Sequence, residues 1–115
     1  MSPVSEPYQE LANLDKLVHE PARLAITAAL ESCREADFLY LQRVTGLSPG
    51  NLSSHLTKLE NGGIVQVRKE LAGKRTETWI QLTTKGRAAV MEHWRRLERL
   101  RPRGGPGRPS RYSVD

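Results

Sequence analysis

Apolar positions along this chain follow a helical period in five stretches and a strand period in one. From Tyr8, the residues Leu11, Leu14 and Val18 recur at helical spacing, with Leu17 beside them, which predicts a first helix. Glu20-Pro21 ends it, because the residue before proline is biased away from the α region. Pro21 opens a second helix, with Ile26, Leu30 and Cys33 at i, i+4 and i+7 and Ala22, Ala25, Ala28 and Ala29 allowing close packing. Asp37 can cap a third, from Phe38 to about Val44, with Phe38 and Leu41 turned inward.

The stretch from Thr45 to Gly63 organises the rest. Gly46 suits a tight turn, since a residue without a Cβ tolerates positive φ. Ser48 is a good N-cap, and Pro49 then stands at the first helical position, where its missing N–H costs nothing. Asn61, Gly62 and Gly63 end this helix over 48–61 in the manner of a left-handed cap. Leu52, Leu56 and Leu59 form its apolar stripe, flanked by His55. The outer face carries Gly50, Ser54, Thr57, Lys58 and Asn61, with Asn51 and Ser53 at its edges. Small hydroxyl and amide groups on such a face suit close approach to phosphates and base edges. An ordinary solvated helix of poor helix formers is the competing reading. With the third helix it has the lengths of a helix-turn-helix, whose second helix reads the major groove.

After Gly63 the period changes to two. Val65, Val67 and Leu71 alternate with Gln66, Arg68 and Glu70, Ala72-Gly73-Lys74-Arg75 makes a turn, and Thr78, Ile80 and Leu82 share a face of the returning strand. This β-hairpin over 64–82 has Lys74 and Arg75 at its tip. Directly after a helix-turn-helix it reads as a wing touching phosphates or the minor groove. Thr83 can cap a last helix to about Leu100, with Val90, Trp94, Leu97 and Leu100 as its stripe. That stripe exceeds what so small a domain can cover. With Leu11, Leu14 and Val18 of the first helix, it is expected to form a homodimer contact; folding back on the chain's own core is the alternative.

The chain has 115 residues, enough for one small domain, and 18 Lys and Arg against 13 Asp and Glu give a net charge of +5. A polyanion, nucleic acid first, is the expected partner. Much of the excess is local, because Arg101, Arg103, Arg108 and Arg111 lie in the Pro/Gly/Arg-rich end over 101–115, expected to be disordered; the Pro-containing start over 1–7 is expected to be flexible. The domain is therefore expected over 8–100. The single Cys33 excludes an intramolecular disulfide and any multi-cysteine zinc site, and reads as a small packed side chain. No secretion signal and no bilayer-spanning apolar run is visible, so a cytoplasmic protein without membrane contact is expected.

The order helix, helix, helix-turn-helix, hairpin, helix, with specific residues, resembles the small winged-helix transcriptional regulators of the MarR/ArsR group, in their compact form. The matching pieces are the run Leu14 to Leu24, Ala36-Asp37-Phe38, Thr45 to Ser48, Asn51 to Leu56, Leu59-Glu60, Gly73-Lys74-Arg75 and Leu82 to Arg87. The resemblance covers about residues 11–100 and implies an α+β, mostly α, winged helix-turn-helix and a dimeric regulator that binds double-stranded DNA. It carries the recognition role to Ser48, Pro49, Gly50, Asn51, Ser53, Ser54, Thr57 and Lys58, and the wing role to Lys74 and Arg75. Two departures stand out. Glu77 occupies a wing position often basic in this group, and the paired cysteines or His/Asp clusters of its metal sensors are absent, leaving Cys33, His19, His55 and His93 scattered. His55 reads as a packed or capping residue and His93 as an interface or surface one.

Nothing supports catalysis: the chain has no Gly-rich phosphate loop, no metal-ligand spacing and no nucleophile with a base in context. No cofactor is implied. The leading expectation is a dimeric repressor that occludes a promoter. In it Lys58, Lys74 and Arg75, with Arg68, hold phosphates while Asn51, Ser53, Ser54 and Thr57 approach bases. The alternative is a winged-helix module for protein–protein contact that has lost specific DNA binding. Any small-molecule effector is expected at the dimer interface, where apolar side chains meet.

Overall fold

The computed structural model describes residues 7–102; the remainder of both termini, including most of the expected basic tail, lies outside the described residues. The elements run α1 (Pro7–Ala12), α2 (Pro21–Glu31), β1 (Ala36–Asp37), α3 (Phe38–Thr45), α4 (Pro49–Asn61), β2 (Val65–Ala72), β3 (Arg75–Leu82) and α5 (Thr84–Leu100). The three strands form one antiparallel sheet in the order β1-β3-β2.

Local chemistry sets most boundaries where the sequence puts them. Asp37 caps α3 by accepting from the Tyr40 N–H at 2.7 Å, and Thr83 caps α5 by accepting from the Gly86 N–H at 2.8 Å. Gly46 ends α3 at φ 72°, and its N–H returns to the Gln42 carbonyl at 3.0 Å. Gly63 ends α4 at φ 76°. One layer of apolar side chains joins the helices to the sheet: Ile26 and Leu30 of α2, Leu41 of α3, the Leu52, Leu56 and Leu59 stripe of α4, Val65 and Ile80 of the hairpin, and Val90 of α5.

Four expectations need correction. The first helix stops at Ala12 rather than reaching Val18. The Asn13 amide group donates to the Gln9 carbonyl at 2.8 Å, and the Asp15 carboxylate accepts from the Leu17 N–H at 2.9 Å. These side chains offer the backbone turns in place of helix, and Leu14 and Val18 are buried from irregular chain. β1 is an unexpected strand, only two residues long, pairing Ala36 with Ile80 and Asp37 with Trp79. Leu71 does not turn inward; it is 80 % exposed, because the hairpin runs on past the end of the core. Last, α5 is rolled relative to its expected stripe. Gly86, Val90, His93 and Leu100 are buried, and Trp94 is 42 % exposed.

The roll has a visible cause. At Gly86 the helix meets the backbone of Ile64, where an added Cβ would stand 2.7 Å from the carbonyl carbon and 2.8 Å from the Cα. The Thr83 hydroxyl donates to the Gly63 carbonyl at 2.6 Å, tying the same corner together. Further along, His93 Nε2 lies 3.0 Å from Nδ1 of His19, so His93 is a core residue rather than an interface or surface one. Burial first, then the neighbouring His19, pushes the His93 pKa below its ordinary value, with Asp15 opposing. The unfolded chain therefore binds a proton near pH 6.5 that the folded chain resists. This contribution to stability is complete above that pH and is lost as pH falls from there toward the folded value. Thermal melts should show Tm falling between pH 7.5 and 5.5, and His93→Gln should flatten that dependence.

Candidate nucleic-acid interface

The exposed face of α4 is positioned from behind. Ser48 Oγ accepts from the Asn51 N–H at 3.2 Å, and Pro49 occupies the first turn. Leu52, Leu56 and Leu59 anchor the inner face at 0 %, 4 % and 0 % exposure. His55 is half-buried, with its Nδ1 3.0 Å from Nη1 of Arg23. Since guanidinium only donates, that nitrogen accepts. Arg23 Nε donates in turn to the Leu17 carbonyl at 2.6 Å, and Glu20 Oε1 stands 3.9 Å from the His55 ring. The Glu20 carboxyl is held below the usual carboxylate range, first of all by the Arg23 N–H it accepts as cap of α2, with desolvation opposing. His55 thus packs α4 onto α2.

Seven residues of the opposite face, Gly50, Asn51, Ser53, Ser54, Thr57, Lys58 and Asn61, are exposed, as are Ser48 and Pro49 at its start. No carboxylate occurs from Ser48 to Leu59. The Thr57 hydroxyl donates to the Ser53 carbonyl at 3.0 Å, so outward it offers a methyl group and oxygen lone pairs. A methyl beside an acceptor suits a thymine methyl or an amino group on a base edge.

Gly73, at φ 67°, and Lys74 form the two-residue link of the hairpin, with Lys74 and Arg75 exposed at the tip. Strand alternation gives the hairpin two unlike faces. Val67, Lys69 and Thr78 turn toward α4 and line a cleft of about 250 Å³ with Ser53, Leu56, Thr57 and Glu60. The other face carries Arg68, Glu70 and Glu77, the last two directly opposite one another. Arg68 binds the Glu35 carboxylate at 2.9 and 3.1 Å and also bonds Glu70, which relieves the like-charge pair. Arg68, expected to hold phosphates, thus has its charge compensated on the far side of the wing. Lys69 is the cation on the α4 side. The signal was legible: Val67 packs on the core, and parity puts residue 69 on the same face.

The expected dimer residues divide. Leu14, Val18, Val90 and Leu100 are at most 7 % exposed and belong to the protomer's own interior, which removes them from that set. Leu11 and Leu97 are half-buried. Trp94 is exposed, and Tyr8 and Met91, not singled out from sequence, stand open on the paired helices α1 and α5 at 75 % and 40 %. Among the described residues no helix is long and apolar enough to cross a membrane.

A helix-turn-helix with a carboxylate-poor reading face, followed by a cationic hairpin, defines a DNA-binding winged helix. Residues 22–100 match the family model for the winged helix DNA-binding domain, and the chain belongs to that family. It is similar to a transcriptional regulator homologue from Pyrococcus horikoshii OT3, with 31 % identity, 84 % of this chain and 94 % of that one covered, and a TM-score of 0.76. An uncharacterized protein of Methanocaldococcus jannaschii is 38 % identical over 78 residues, 68 % of this chain and 85 % of the relative. A MarR-family transcriptional regulator from Silicibacter pomeroyi shares the fold at 22 % identity and TM-score 0.60, over 82 % of this chain and 60 % of that one. The resemblance to compact winged-helix regulators read from the sequence is thereby confirmed.

Proposed function

We propose that this regulator binds a specific operator as a homodimer and represses by occluding the promoter. The observation that carries this reading is the row of exposed polar and cationic side chains from Asn51, Ser53, Ser54, Thr57 and Lys58 on α4 across Lys69 to Lys74 in the turn, with Arg75 beside it at the tip and Glu60 the carboxylate in the cleft between. Lysines and Arg75 hold phosphates and set the register; the amide and hydroxyl groups meet base edges. Two copies related by a two-fold axis place their α4 helices about one DNA turn, roughly 34 Å, apart. Fluorescence-anisotropy titration against the chain's own upstream region and a scrambled duplex, at two salt concentrations, tests it. Tighter binding to the first with a steep salt slope supports operator recognition. Equal, weak binding to both overturns it in favour of a protein-contact module.

The open apolar side chains Tyr8, Met91 and Trp94, beside Leu11 and Leu97, support the dimer surface and are where an apolar effector would lodge. Met91→Asp with Trp94→Asp should give monomers in sedimentation velocity at concentrations where the unsubstituted chain is dimeric. Because both side chains are exposed, the fold should survive.

A further inference from the structure

The wing carries a side chain that neither the core nor the phosphate contacts use. Leu71 is 80 % exposed, more than Tyr8 at 75 % or Leu39 at 70 %. It pairs across the hairpin with Thr76, and Lys69 pairs with Thr78, so alternation sets Leu71 and Thr76 on the α4-facing side with Lys69. Both carboxylates of the hairpin, Glu70 and Glu77, pair with each other on the opposite side. Leu71 is thus a lone hydrocarbon between two lysines, Lys69 two residues before it and Lys74 in the turn beyond it, while Arg75, paired with Ala72, stands on the other face.

We propose that Leu71 enters the minor groove as an apolar wedge while the flanking cations hold the phosphates on either side of it. A cationic frame fits a polyanion, and within duplex DNA the surface that takes a hydrocarbon lies between the phosphate ridges, where apolar side chains press on base steps and unstack them. Pyrimidine–purine steps yield most easily, so the wedge adds a sequence preference at a place α4 does not touch. The inference rests on the DNA-binding reading above.

Leu71→Ala, measured on a labelled duplex of the chain's own upstream region at two salt concentrations, separates the two claims. Binding should weaken about tenfold, with an unchanged salt slope, because a hydrocarbon releases no counterions. Hydroxyl-radical footprinting, which reads the minor groove, should lose the protection flanking the α4 site and keep the rest. If Leu71→Ala binds as the unsubstituted chain does with the same footprint, the wedge is overturned and operator binding stands. A change of sedimentation state with unaltered DNA affinity also overturns it and puts Leu71 against a second copy. Failure of the unsubstituted chain to bind the duplex overturns both.

Discussion

Gly86→Ala should lower stability by about 2 kcal/mol or more and Tm by about 10 °C or more in a domain of this size. In an open helix the same change is favourable by up to about 1 kcal/mol, because alanine loses less backbone entropy. Here the new methyl falls on the Ile64 carbonyl group. That backbone cannot retreat: the Ile64 N–H is bound to the Leu59 carbonyl at 2.9 Å, and its own carbonyl accepts from the Thr83 N–H at 3.0 Å. The steric cost therefore outweighs the propensity gain. Gly50 is the control, since a Cβ there meets nothing within 4 Å, and Gly50→Ala should not lower Tm. Thermal unfolding by circular dichroism decides the matter; equal melting of the two variants would show that α5 can move off Ile64.

The second large effect concerns the wing tip. Lys74→Ala with Arg75→Ala should weaken duplex binding about thirtyfold at an ionic strength of about 0.15 M, since each phosphate-bound cation contributes about fivefold there. The loss should be similar on operator and scrambled duplexes, and the salt slope should become shallower by about two units. Arg68→Ala, whose partners are Glu35 and Glu70, should leave the slope where it was. Asn51→Ala should do the opposite of the tip variant and change the ranking of sequences. A tip variant with unaltered slope would remove Lys74 and Arg75 from the interface.

Caps and turns were the legible part of the fold. Asp37, Ser48 and Thr83 announce their helices because each uses its own side chain on an N–H three residues away, a purely local event. Gly46 and Gly73 mark their turns for the same reason. What the sequence concealed has two causes. At the end of α1 it is local: Asn13 and Asp15 bond to backbone four and two residues away and prefer turns to helix, while the spacing of Leu14 and Val18 kept helical order. The rest depends on contacts between distant segments. β1 is too short to show any period. The roll of α5 is decided at Ile64 and His19, so a stripe drawn through Trp94 missed His93. In the wing, charge drew attention to Arg68, whose partner Glu35 is 33 residues away; parity pointed to Lys69 instead.

The corner where Gly63, Ile64, Thr83 and Gly86 meet joins the end of α4, the root of the hairpin and the start of α5. The close approach of Gly86 to Ile64 and the Thr83 bonds leave it little slack, so the exposed face of α4 and α5 are expected to move together. α5 has 17 residues and extends about 25 Å. A tilt of about 10° at its far end then carries the opposite surface through about 4 Å, comparable to the rise of one base pair. In a two-fold assembly built on α5, a small molecule wedged beside Trp94 would work a lever, and the span between the paired reading helices would be its output.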